Sequence, residues 1–114
     1  MSTDAKAYYI DGPARMSHAK AAVPDVVKGF GALFQSAMKE GALTVREKEL
    51  VALGIGMALR CDSCVYAHVE KALKAGATRQ QILETAGVAV MMQGGPAYTY
   101  LHKLVEAIDE LEAV

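Results

Sequence analysis

Apolar residues recur every three or four positions along almost the whole chain, and no run has the alternating, β-branched character of a half-buried strand. Five helices follow from this pattern. The first predicted helix spans about Pro24 to Lys39, with proline in its first turn, where a missing N–H does no harm, and Gly41 beyond its end. Val27, Phe30, Leu33, Phe34 and Met38 form its apolar face. The second opens at Thr44, which with Glu47 makes a Thr-x-x-Glu capping box, and runs to about Leu59. From Leu50 to Leu59 it carries no charge on any side and is expected to be the central, buried helix.

The third predicted helix starts at a Cys-x-x-Cys motif and ends near Ala75, with Gly76 as a left-handed stop. Thr78 and Gln81 form a second capping box and open the fourth, which continues to about Met92 on Ile82, Leu83, Ala86 and Val90. Gly94, Gly95 and Pro96 then turn the chain. The fifth covers about Ala97 to Ala113, where Leu101, Leu104, Ile108 and Leu111 make a seam facing either the chain's own core or a neighbouring subunit. The expectation is an all-α, single-domain helical bundle of about five helices over residues 1–114.

Composition changes this picture in one respect. Of the 114 residues, 53% are apolar, more than the surface of so small a domain comfortably displays, so burial against sister subunits is expected. The formal net charge is −1 with scattered basic residues, which leaves no positive stripe for nucleic acid. Met1 to Tyr9 lacks the basic and apolar regions of a secretory signal, and Thr85 to Leu101 is too short and too interrupted to cross a bilayer. The cytoplasm is the expected compartment, with no membrane partner. In a reducing compartment, two cysteines this close are a poor structural staple, because the loop they close is tiny; reactivity better accounts for them.

The chemistry concentrates in Arg60-Cys61-Asp62-Ser63-Cys64-Val65-Tyr66-Ala67-His68. A helix beginning here puts Cys61 at its N-cap and Cys64 in its first turn, where unpaired N–H groups and the positive end of the helix dipole favour a thiolate. At about 100° per residue, Cys64 lies about 60° and His68 about 20° from Cys61 around the helix, so the three share a face. His68, one turn beyond Cys64, is placed to take a proton from the thiol and return it to a leaving group. Glu49, on one line of its helix with Val45, Leu53 and Gly56, sits at the edge of an apolar stripe from which it would orient His68; as a first-turn acid it is equally welcome without that role.

Other readings of the motif remain. A zinc site needs four ligands, and only the distant His18 or His102 would complete the set. A thioredoxin-like fold requires strands beside the motif, and the pattern offers none. Two buried, inert cysteines with a histidine satisfied by the core are the plainest alternative. His18, His102, Tyr98 and Tyr100 receive no role.

Glu49, eleven residues, Cys61, two residues, Cys64, three residues and His68 together resemble the active-site signature of the AhpD-like alkylhydroperoxidase branch of the carboxymuconolactone decarboxylase family. That resemblance implies an all-helical fold, a homo-oligomer such as a trimer or hexamer, no cofactor, and reduction of a small peroxide or disulfide through a thiol–disulfide cycle fed by a dithiol reductant of lipoyl type. It also implies that Cys64 attacks, Cys61 closes the disulfide, His68 relays the proton and Glu49 supports His68. Ser63 stands where the peroxidase pattern has a second relay histidine, which puts peroxidase efficiency in doubt. The alternatives are a lactone decarboxylase acting on a small carboxylate, against which the cysteine pair argues, and a non-enzymatic redox or stress-binding protein that merely holds a disulfide.

Overall fold

The computed structural model describes residues 4–113. Among them it contains six helices and no strand: α1 (Asp4–Ala22), α2 (Pro24–Met38), α3 (Val45–Leu59), α4 (Asp62–Lys74), α5 (Arg79–Gln93) and α6 (Gly95–Glu112). The bundle is all-α, as expected, with one helix more than the apolar pattern indicates. The additional helix is α1, whose sequence is polar on average and holds Gly12 and Pro13 in its interior, both unfavourable there. Tertiary contact outweighs propensity. Ala5 is fully buried, Tyr8 and Tyr9 pack on the core, and the Tyr9 hydroxyl donates to the Tyr66 backbone carbonyl at 2.5 Å. The rings of Tyr8 and Tyr9 lie 5.5 and 6.2 Å from that of Tyr66, which fastens α1 to α4.

The local signals set the other boundaries. Thr44 and Thr78 each accept from the backbone N–H three residues on, and the Glu47 and Gln81 side chains bond back to the cap N–H, so both capping boxes are closed. Pro24 occupies the start of α2. Gly76, with φ of 96°, takes the left-handed conformation that stops α4. Helix α6 begins at Gly95, two residues before the expected start, because Pro96 is accommodated within its first turn.

The core gathers Leu53 and Met57 of α3, Val65, Tyr66 and Val69 of α4, Ile82 and Ala86 of α5, and Leu104 and Ile108 of α6. Leu104 and Ile108 are fully buried and Leu101 and Leu111 pack against the cluster, so the α6 seam faces its own chain. Two expectations of burial change. On α3 the uncharged stretch is buried only where it meets α4, α5 and α6; Val51, Ile55 and Leu59 stand exposed, the last at 70%. Helix α2 has no buried residue at all: Val27, Phe34 and Met38 are half-buried against the body, while Phe30 and Leu33 point to solvent at 64%. Amphipathic periodicity shows that a face is apolar, but not whether this chain supplies its cover.

Candidate active site

The site is built where α3 turns into α4. Arg60 caps α3 in the left-handed region (φ 53°), donating its N–H to Gly56 and Met57, and the Cys61 N–H closes on Gly56 at 3.0 Å. This tight reversal lays the first turn of α4 against α3. Gly56 makes the approach feasible, since a Cβ there would sit 3.1 Å from the Cβ of Cys64.

Cys61 is the N-cap of α4, its sulfur accepting from the Cys64 N–H at 3.2 Å, and the two cysteines are joined as a disulfide with Cα atoms 5.2 Å apart. Both are half-buried, so the disulfide is neither sealed in the core nor fully exposed. The Ser63 hydroxyl lies 3.6 Å from the Cys61 sulfur. The sulfurs therefore sit at the positive end of a helix, beside N–H groups with no helical partner.

One turn further, the Nδ1 of His68 meets Glu49 Oε1 of α3 at 2.6 Å. Glu49 is the one charged residue found buried among those described, at 4% exposure, and His68 is the hydrogen-bonding partner that such a carboxylate requires. With Nδ1–H donating to the carboxylate, Nε2 remains as the ring's proton acceptor. The structure thus joins Glu49 to His68 and Cys61 to Cys64, and the helical rise of α4 puts His68 one turn beyond Cys64.

Other side chains complete the surroundings without having been apparent in the sequence. The Phe34 ring of α2 stacks on His68 with centroids 6.3 Å apart and planes 16° from parallel, and Lys71 Nζ lies 4.1 Å over the same ring. Phe34 read only as one member of an apolar face. Asp62, between the cysteines, accepts from the Tyr100 hydroxyl and from Lys103 Nζ, the latter at 2.8 Å. Burial opposes the Asp62 charge, yet those two hydrogen bonds and the positive charge of Lys103 hold its carboxyl below the usual carboxylate range. Tyr100 was assigned no role, and reaches the motif only because α6 crosses α4. His18, His102 and Tyr98 lie exposed outside the site. Among the described residues, no group of three or more His, Cys, Asp and Glu is placed to hold a metal ion.

A hollow of about 360 Å³ opens beside the motif, between α1 and the first turn of α4, with Arg15, Met16, Ser63 and Tyr66 in its walls. The more apolar groove between α3 and α5, of about 420 Å³ and lined by residues such as Val51, Ile55, Val88 and Met92, lies on the opposite side of α3 from Glu49 and Gly56.

The signature of the carboxymuconolactone decarboxylase family matches residues 24–107, which contain every residue of this site from α2 to α6. The chain belongs to that family. Its fold resembles that of a family member from Legionella pneumophila, solved in its apo form, with a TM-score of 0.88, 35% identity and 96% and 97% of the two chains covered. A second solved member, from Thermotoga maritima, superposes with a TM-score of 0.81 at 25% identity over 92% and 90% of the chains; its description links it, as a possibility, to the antioxidative response. Among curated proteins, an uncharacterised protein of Cupriavidus necator is 31% identical over 99% of this chain and all of its own length. One encoded in the cox locus of Paracoccus denitrificans is 35% identical over 84% of each. The family and the all-helical fold implied by the Glu-Cys-Cys-His pattern are thus established, and no helix among the described residues is long and apolar enough to cross a membrane.

Proposed function

We propose that the protein is a thiol-dependent oxidoreductase that reduces small hydroperoxides or disulfides through Cys61 and Cys64. The observation that carries this reading is the bond between buried Glu49 and half-buried His68, one helical turn from a disulfide at a helix N-terminus. A core staple would not need a buried carboxylate aimed at a histidine on the sulfur-bearing face.

The cycle assigns one act to each residue. The Cys64 thiolate attacks the terminal oxygen of the hydroperoxide, the O–O bond breaks, and the departing alkoxide takes a proton from His68 to leave as an alcohol. Cys64 is then a sulfenic acid. The Cys61 thiolate attacks that sulfur, expels hydroxide that is protonated to water, and forms the disulfide. A dithiol of lipoyl type reduces it by two exchange steps, becoming a disulfide itself. Glu49 holds the imidazole and balances its positive charge when protonated. A cytoplasmic setting, where dithiol reductants are maintained, suits this cycle.

Ser63 can hydrogen-bond but cannot relay a proton as an imidazole does, which favours slow peroxide turnover beside efficient disulfide exchange. The description of the Thermotoga protein supports the antioxidative reading. A homo-oligomer also belongs to this proposal, because the outer face of α2 and the α3/α5 groove are apolar surfaces that one chain leaves uncovered.

A thiol count tests the reading directly. The reduced protein should show two reactive thiols per chain, none after one equivalent of hydroperoxide, and two again after a dithiol. Persistence of both thiols in the presence of peroxide and of a small disulfide would overturn it.

A further inference from the structure

Asp62 is an acid in the first turn of α4, where a solvated carboxylate would satisfy the helix end equally well. Instead its two oxygens are taken up separately by α6: Oδ1 accepts from the hydroxyl of Tyr100, and Oδ2 from Lys103 Nζ at 2.8 Å. Tyr100 is buried and Lys103 largely covered, its Nζ 5.8 Å from the centroid of the Tyr100 ring. The α6 helix, which carries none of the four residues of the thiol site, thus grips the one residue whose charge lies inside the loop closed by the cysteines.

We propose that Asp62, Lys103 and Tyr100 form a positioning clamp that fixes the first turn of α4 and sets the net charge felt by Cys61 and Cys64, so that it tunes thiol acidity and the poise of the disulfide. Tyr100 and Lys103 act through Asp62, the residue that follows Cys61 in the motif. The inference rests on the pair being redox-active.

The electrostatics give it a sign. Reduction by a dithiol converts the Cys61–Cys64 disulfide into two sulfhydryls, one of them partly ionised, while the dithiol closes to its own disulfide. An uncompensated carboxylate beside that thiolate disfavours it and shifts the exchange toward the protein disulfide; a compensating ammonium reverses this. Lys103→Met leaves one more negative charge by the sulfurs, and Asp62→Asn one fewer. Both substitutions break the same ion pair, so a merely structural tie would make them move the site in the same direction. A charge-setting clamp makes them move it in opposite directions.

The experiment measures two quantities on the full-length protein, wild type, Asp62→Asn, Lys103→Met and the double variant. One is the pH midpoint of thiol alkylation, and the other the equilibrium with a dithiol redox buffer at one fixed pH, about 8, for all four proteins. Lys103→Met should raise the midpoint and shift the equilibrium toward disulfide, on the order of three- to tenfold; Asp62→Asn should do the reverse by a similar factor. A tenfold shift corresponds to about 30 mV for this two-electron couple. The double variant should return close to wild type. If wild type exchanges normally and the two single variants shift together or not at all, the clamp is overturned and the redox reading stands. If the wild-type disulfide does not exchange with the dithiol, both fall.

Discussion

Gly56 and Cys64 are in such close apposition that a methyl group on the glycine would lie 3.1 Å from the Cβ of the cysteine. Cys64 is held by its helix and by its disulfide and has little room to retreat. Gly56→Ala gains roughly 1 kcal/mol of helix propensity but drives overpacking that typically costs about 1–3 kcal/mol. The expected result is a modest fall in melting temperature with a larger loss of turnover, since the displaced Cβ carries the sulfur proposed to attack. Calorimetry beside a peroxidase assay checks it, and unchanged turnover would show that Cys64 tolerates displacement.

The two cysteines should fail in different ways. Cys64→Ser is expected to abolish peroxide consumption, whereas Cys61→Ser keeps the attacking thiolate, consumes one equivalent and stalls as an oxidised sulfur. Intact-mass spectrometry after one equivalent of peroxide distinguishes them. A sulfenic adduct on Cys64→Ser and none on Cys61→Ser would reverse the assignment.

The proton relay should grade with position. His68→Ala removes the group one turn from Cys64 and should slow the attack by about 10²–10³-fold, a usual contribution of general acid–base catalysis. Glu49→Gln retains a hydrogen bond to Nδ1 but loses the charge that supports the imidazolium, so a smaller loss is expected. Alkylation rate and turnover against pH measure both. If Glu49→Gln changes neither, the 2.6 Å contact to His68 is purely structural.

Most of this site was legible because its signals are local. The cysteine spacing, the turn to His68 and the two capping boxes are all set within four residues, a range over which helical geometry is fixed. Glu49 was legible through the spacing of the motif, but not its burial, which depends on how α3 lies on α4. Phe34, Tyr100 and Lys103 reach the motif through helix crossings that no periodicity encodes, and Asp62 received no reading because its partners lie on α6. Helix α1 escaped for the related reason that Tyr8 and Tyr9 stabilise it by packing on Tyr66, against its own propensity.

Acid should loosen the tie between α4 and α6. Because the Asp62 carboxyl is held below its ordinary value when folded, the ionised, bound form contributes stability at neutral pH, and that contribution is lost as pH falls past the ordinary aspartate range and through the lower folded value. The side chain is partly exposed, so the contribution should resemble that of an accessible ion pair, roughly 0.2–1 kcal/mol. Denaturant titrations at pH 3 and pH 7 should show wild type losing slightly more stability than Asp62→Asn. Equal losses would mean that the tie does not contribute.

Self-association follows from which apolar residues the chain leaves uncovered. On α2, Val26, Phe30 and Leu33 recur at helical spacing on the side away from the body, and all three exceed 60% exposure. On α3 and α5, Val51, Ile55, Val88 and Met92 flank an open apolar groove. A monomer would present both to water, more contiguous apolar surface than a domain of this size normally tolerates. Light scattering at micromolar concentration should therefore give a multiple of the 12.1 kDa chain mass, with a trimer or hexamer expected from the family resemblance. Charges placed on the uncovered faces should separate the subunits: Phe30→Glu tests α2 and Val88→Glu the groove, both far enough from the core that the isolated chain should still fold. Phe34 is also carried by α2 and stacks on His68, so release of the α2 contact should lower turnover as well as mass. A wild-type protein that scatters as a monomer would show that these faces have another use.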